Sequence, residues 1–405
     1  MGKRLRLCFR GVAVNNPRWL LRSVDLCAPG LFLLPATEAA MVRTGFALFV
    51  LVSVVFTTGP LSAAHKWGLK EGRPDIQTAG QLAFGPDGIL FVGDTKSAAV
   101  FAIDTQDAKP SADFPAVAVE KLGEKLAKAV GGKAEIRDLA VNPISGNVYL
   151  SLAKGDASAP ALVRIDGQGT ISELSLDNVA FLKATLPNPP EDKVVGEGPR
   201  ARNRRPEAIT DLAFVEGRLL VSGMTSEKAP SAFLQIPFPF GETAGGTNVE
   251  IYHAAHGKSE DFAAIRTFIP MTIDGKPTIL AGFTCTPLVR FDLSSLQPGS
   301  KSRGTTVAEL GNRNTPLDIV GYEQAGERYL LVANNNRGVM KVSTREIGRE
   351  TGLTTPVTGG GTAGQSFEKV PSLEGTVQLD RLDAGRAVVV VQKEGQLDLR
   401  TVTLP

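Results

Sequence analysis

The stretch Ile136–Ile165, IRDLAVNPISGNVYLSLAKGDASAPALVRI, decides the fold. Leu139 and Val141 alternate on one face of a short strand. Asn142, Pro143, Ser145, Gly146 and Asn147 are turn residues. Pro presets φ, Gly accepts a positive φ, and Asn bonds its own backbone. Val148–Leu152 is a second apolar run, and Leu162–Ile165 a third after a polar loop. The phrase is strand, turn, strand, loop, strand, and variants of it recur along the chain.

The earlier copy reads Leu82-Ala-Phe-Gly-Pro-Asp-Gly-Ile-Leu-Phe-Val, followed by Val100–Ile103. Later copies begin near Asp211, Thr267, Asp318 and Gln378. Their anchors are Leu82, Leu139, Leu212, Phe268, Ile319 and Leu379, with spacings of 57, 73, 56, 51 and 60. The long interval contains Asn178–Glu207, where Pro187, Pro189, Pro190, Pro199 and Pro206 read as an irregular insertion. A loose period with about four short strands per unit signals an all-β fold, a β-propeller of six blades with four antiparallel strands each. Seven blades fit if residues 341–376 hide a degenerate unit. Each blade is too thin to bury both faces, so it is stable only when stacked on neighbours. The ring is expected to close where the last blade meets the first. One segment breaks the rhythm. In Glu120–Val130, Leu122, Leu126 and Ala129 share a helical face, and Gly131-Gly132 ends the run.

The 405 residues carry a formal charge of +2, with 42% hydrophobic and 21% charged residues. That balance supports a real core. Seven Lys/Arg against two acids fall before His65, leaving about −3 on the rest. A nearly neutral body lacks the basic footprint of a nucleic-acid binder. Met41-Val-Arg, the apolar run Phe46–Phe56, and Ser62-Ala-Ala64 form a signal peptide cleaved near Ala64. The run is short for a membrane span, which needs roughly 20 apolar residues. Residues 1–40 are then a spurious or disordered extension, 65–405 are one propeller domain, and the protein is secreted or periplasmic. Only Cys285 follows the leader, so there is no internal disulfide. It reads as a buried thiol.

Two blade phrases, 82–92 and 139–150, resemble the NHL/YVTN class of propellers, which is similar to the heavy chain of quinoprotein amine dehydrogenases. Ile-Pro-Phe-Pro-Phe at 236–240, Thr-Cys-Thr-Pro-Leu-Val at 284–289 and Val-Ala-Glu-Leu-Gly-Asn at 307–312 resemble a group of uncharacterised secreted bacterial propellers. The resemblance implies the fold. It transfers no catalytic residue, because the amine dehydrogenases hold their redox group in a separate small subunit.

The candidate chemistry follows from the blade register. Residues just before each anchor face the central channel: Gln81, Asp138, Asp211, Thr267, Asp318 and Gln378. Three acids on one axis need an offset. Arg137 and Arg266 could supply it, or a divalent cation such as Ca²⁺ could bind, or each Asp bonds backbone amides at its own strand start. His253, His256 and Glu260 form the one His-x-x-His pattern with a nearby carboxylate, a candidate site for Zn²⁺ or Cu²⁺. Asn312, Asn314 and Asn334–Asn336 read as hairpin turns, with Asn314 a candidate ligand contact at the channel mouth. Propeller lactonases, by resemblance, hold a cation with such residues. Arg200, Arg202, Arg204 and Arg205 form a basic run, either a solvated face or a docking site for an acidic partner. The sequence has no P-loop, dinucleotide fingerprint or Gly-x-Ser-x-Gly, and no organic cofactor is evident. The expected function is a non-catalytic binding or scaffold module for a small polar ligand, cation or protein partner. A metal-dependent hydrolase, or the large subunit of a periplasmic redox complex, is the alternative.

Overall fold

Strands Ile89–Asp94 and Ala99–Asp104 are buried at every position. A sheet with one wet face would alternate, so both faces of these strands are covered. That is the situation of a blade packed between two others. The computed structural model describes residues 66–198, 201–348 and 351–405. The expected leader, residues 1–40 and Arg200 lie outside them.

Six inner strands define six blades in chain order. They are Leu82–Phe84, Ala134–Val141, Asp211–Val215, Ile265–Ile273, Pro316–Gln324 and Thr376–Arg381. Each opens a series of antiparallel pairings. The opening stretch of sequence is nearly all of blade 2. Ala134–Val141 pairs with Val148–Lys154, which pairs with Ala159–Ile165, and Ile171–Glu173 completes the sheet. Its Asn142–Asn147 turn is fixed from outside. The buried Asp107 carboxylate accepts from Asn142, Ser145, Asn147 and Tyr149 at 2.7–3.0 Å. Burial pushes the Asp107 pKa up, but these donors outweigh it and hold the carboxyl below its ordinary range.

Six apolar seams show the order of the blades. Blade 1 packs on blade 2 through Leu82, Val92 and Tyr149, and on blade 3 through Phe91, Val221 and Phe238. Blades 3 and 4 share Phe233, Phe268 and Phe291, blades 4 and 5 share Leu280 and Leu330, and blades 5 and 6 share Val320 and Val389. Blade 6 then packs on blade 2, through Val388, Val390, Leu150 and Val163. The ring order is therefore 2, 1, 3, 4, 5, 6. The expectation that the last blade meets the first is corrected, because blade 1 lies between blades 2 and 3.

The chain achieves this order by lending strands. After three strands of blade 1 it runs to the far edge of blade 6, where Ala118–Val119 pairs with Gln396–Thr403. Helix Leu122–Val130 follows and buries Leu122, Leu126 and Val130 in the seam between blades 2 and 6. Gly131, at φ 73°, stops it in the left-handed region that favours glycine. After blade 2 the chain returns to blade 1, where Val179–Thr185 pairs with Ala99–Asp104 as the fourth strand and Lys70–Gly72 pairs outside it. The region read as an irregular insertion thus starts with a regular strand. Its prolines begin only at Pro187, beyond that strand. A small hairpin, Val194–Val195 with Arg202–Asn203, follows. Among the described residues, 341–376 hold no seventh sheet. Thr362–Gly364 extends blade 4, and Phe367–Lys369 is the outer strand of blade 5. No helix among the described residues is long and apolar enough to cross a membrane.

Candidate functional site

Four inner strands carry a bulge directly before the channel position. Register breaks fall between Ile136 and Asp138, Ile265 and Thr267, Pro316 and Asp318, and Thr376 and Gln378. A bulge re-aims the residue that follows it. Asp138, Asp211, Thr267 and Asp318 line one cavity of about 270 Å³ on the axis. Asp380 joins them, and the six-position register missed it. It lies two residues beyond Gln378 on the same strand, and period-two alternation places both on one face. Extending the sequence reading one layer along each strand would have found it.

The carboxyls do not bond mainly at their own strand starts. Asp138 accepts the Leu82 N–H at 2.6 Å, from blade 2 to blade 1. Asp211 accepts the Phe268 N–H at 2.7 Å, from blade 3 to blade 4, and its own neighbour Leu212 at 2.7 Å. Asp318 accepts the Leu379 N–H at 2.7 Å, from blade 5 to blade 6. Asp380 accepts the Val141 N–H at 2.7 Å, from blade 6 to blade 2. Each carboxyl clips its blade to the next one round the ring.

Protein surrounds these groups, although the cavity gives water a route to them. Burial pushes Asp138 well above the ordinary carboxylate range, and the charges of Asp211 and Asp380 add to it. Burial does the same to Asp318, with Asp138 as the next cause. Asp211 is raised to about 7 by burial, against the bonds from Phe268, Leu212 and Thr267. Asp380 is raised to about 6 by burial, against the N–H groups of Val141 and Arg381. At the same register, the side-chain oxygens Oε1 of Gln81 and Gln378 are buried without a hydrogen-bond partner. The expected arginine offset is formed elsewhere. Arg137 pairs with Glu135 at 3.1 Å, and Arg266 pairs with Glu207 at 3.1 Å and donates to the Thr284 hydroxyl at 2.9 Å.

The other candidates separate. Asn314 is buried, donates to Asn334 Oδ1 at 2.9 Å and accepts the Asn336 N–H at 3.2 Å, so it ties two turns together and does not line the cavity. Cys285 is partly exposed, not buried, because it sits in a turn with Cys285 and Thr286 at φ 65° and 64°. In the basic run, Arg202 lies 3.5 Å from Glu207, and the Nε and Nη1 of half-buried Arg205 have no hydrogen-bond partner. Arg204 precedes the short turn Arg205–Glu207.

The His-x-x-His residues do come together. A tight turn closed by His256 N–H to the His253 carbonyl at 3.0 Å brings the two rings within 3.8 Å. Glu260 bridges them, with 3.0 Å to His253 Nδ1 and 2.8 Å to His256 Nδ1. One donor atom from each residue lies within 4.8 Å of the others, close enough to hold a metal ion. Sequence reasoning missed Glu309, a buried carboxyl of blade 4 that accepts the N–H groups of Ala254 and Ala255 at 2.7 and 3.2 Å. Only folding brings it to the turn.

No protein-family model matches the chain, and no curated protein matches it. Solved structures similar to it include the PQQ-bound form of an aldose sugar dehydrogenase from Streptomyces coelicolor, at 12% identity and TM-score 0.33 over 83% of this chain and 96% of that one. An oxidoreductase (glucose dehydrogenase) from Thermus thermophilus shows 13% identity and TM-score 0.32 over 83% and 100%. A glucose dehydrogenase shows 11% identity and TM-score 0.34 over 83% and 98%. The propeller architecture rests on the strand pairing of this chain, and no activity is carried over from these structures.

Proposed function

We propose that this propeller is a binding module, exported to the periplasm or the medium, whose channel takes a hard divalent cation such as Ca²⁺. The observation that carries the reading is a lining of oxygen acceptors from several blades. Asp138, Asp211, Asp318 and Asp380, from four blades, share the cavity, while Gln81 and Gln378 at the equivalent sequence register do not line it. Hard cations favour carboxylate and carbonyl oxygen and accept six to eight such ligands, waters included. The raised carboxyls are compatible with the same reading: burial and mutual repulsion hold them protonated, and a cation among them would take the place of those protons. A cavity of about 270 Å³ has room for an ion with several waters.

The test is metal analysis of the purified chain, with Ca²⁺ titration of the chelated protein by calorimetry. Asp318→Asn is the informative variant. Its amide oxygen still accepts the Leu379 N–H, so the clip between blades survives while the charge is lost. One bound Ca²⁺, with at least tenfold weaker binding in Asp318→Asn, is the expected result. No bound metal, together with a melting temperature indifferent to chelator, would sink the reading. The same preparation tests the enzymatic alternatives. A metal-dependent hydrolase loses turnover with the chelator, and a redox subunit co-purifies with a partner that carries the cofactor.

A further inference from the structure

We propose that the His253–Glu260 hairpin, at the seam of blades 3 and 4, is a transition-metal site of the zinc class. Its ligands are the two imidazoles, with Glu260 bridging both and the buried carboxyl of Glu309 behind the turn. The site is separate from the channel and does not depend on the channel reading.

The argument starts from hydrogen-bond chemistry. A carboxylate only accepts, and a neutral imidazole has one N–H and one lone pair. Glu260 meets His253 and His256 through their Nδ1 atoms. Both rings therefore carry hydrogen on Nδ1 and present a lone pair at Nε2. A carboxylate holding one ring nitrogen while the other binds metal is the usual arrangement of histidine ligands. His253 is 1% exposed, and its Nε2 has no hydrogen-bond partner. A buried acceptor left unpaired destabilises the fold, and a bound cation would remove that cost.

A second buried group points the same way. Glu309 is fully buried, and its Oε1 accepts the two N–H groups between the histidines. Its Oε2 has no partner. Two unpartnered buried atoms thus belong to one turn and the strand packed against it, on residues 56 apart in sequence. The cation beside the cluster is Lys258, whose Nζ lies 3.6 Å from Glu260 Oε1 and is mostly exposed. His256 is 45% exposed on its side chain, which leaves an entry path from solvent. Two imidazoles and carboxylate oxygen suit Zn²⁺ and its neighbours, not Ca²⁺.

Chelated full-length protein should be titrated with Zn²⁺ by calorimetry and with Co²⁺ by visible absorption. The expected result is one equivalent of each, with the intense visible bands of four-coordinate Co²⁺. His256→Ala is the safe ligand variant, because that ring is half exposed and its loss opens no core. It should weaken binding by at least tenfold and abolish the Co²⁺ spectrum. Glu260→Gln should cost about 10–100-fold and shift the spectrum, as loss of a ligand-orienting carboxylate does. Asp318→Asn should change neither, so failure of the channel reading and of this one are told apart. No uptake by the wild-type chain, or uptake unchanged in His256→Ala, overturns the proposal.

Discussion

Replacing Asp211 by Asn tests whether the channel carboxyls carry the electrostatics described above. The Asp211 pKa is raised from 3.8 to about 7 by burial. At 1.36 kcal/mol per pH unit, that amounts to roughly 4 kcal/mol of preference of the folded state for the protonated acid. The sign follows from linkage. A folded pKa above the unfolded value means that the native state holds the proton more tightly. The contribution is complete below the unfolded pKa and is lost as pH rises through about 7. Between about pH 5 and about pH 8, roughly 3 kcal/mol of stability should disappear from this group alone. The variant removes that slope and adds a fixed cost. An amide has one acceptor oxygen, whereas Asp211 accepts from both Leu212 and Phe268. One N–H is left unpaired, at about 1–3 kcal/mol. Urea unfolding in chelator at both pH values measures the difference. The stability of Asp211→Asn relative to the wild type should rise by roughly 3 kcal/mol from the lower pH to the higher one. A stability gap that stays constant across the range would refute the assignment of this titration to Asp211.

Two further outcomes follow from the same structure. Leu126→Ala should destabilise the protein by about 2–5 kcal/mol in denaturant unfolding, because the fully buried side chain fills the seam between blades 2 and 6. A loss under about 1 kcal/mol would mean that the helix is not part of the closure. Protein recovered from the periplasm or medium should begin at His65 by N-terminal sequencing, and a mature chain that starts before Met41 would contradict the leader reading.

The anchors were legible because buried strands repeat a pattern that any blade must satisfy. Leu139 and Leu212 occupy equivalent places for the same physical reason, and the channel register followed from them. The ring order was not legible. It depends on Ala118–Val119 and Val179–Thr185, strands whose partners lie far away in sequence. The first is two residues long, and the second begins a stretch dominated by prolines. Neither has a local signature that names its sheet. The site divided in the same way. Asp138, Asp211 and Asp318 could be aligned by register, and Asp380 by one more step of period two. Glu309 could not be found, because its carboxyl meets Ala254 and Ala255 only through the packing of blade 4 on blade 3.

The direction of the aspartate bonds gives the channel a further meaning. In the ring order 2, 1, 3, 4, 5, 6, Asp138 reaches from 2 to 1, Asp211 from 3 to 4, Asp318 from 5 to 6, and Asp380 from 6 back to 2. Every bond runs the same way round, and four seams are clipped. The seam between blades 1 and 3 is held differently. There Trp67, Phe91, Phe214, Phe238 and Phe240 pack with ring centroids 5.1–6.2 Å apart. The Ile-Pro-Phe-Pro-Phe motif therefore serves that one seam. Since the same carboxyls clip the blades and line the cavity, their charge state is felt at the seams. Repulsion among ionised carboxyls pulls on four of them, and a cation on the axis removes it. Binding at the channel and stability of the ring are thus one equilibrium. A ligand that binds only the folded ring stabilises it by its binding free energy, and the effect should grow as rising pH ionises Asp380 and then Asp211.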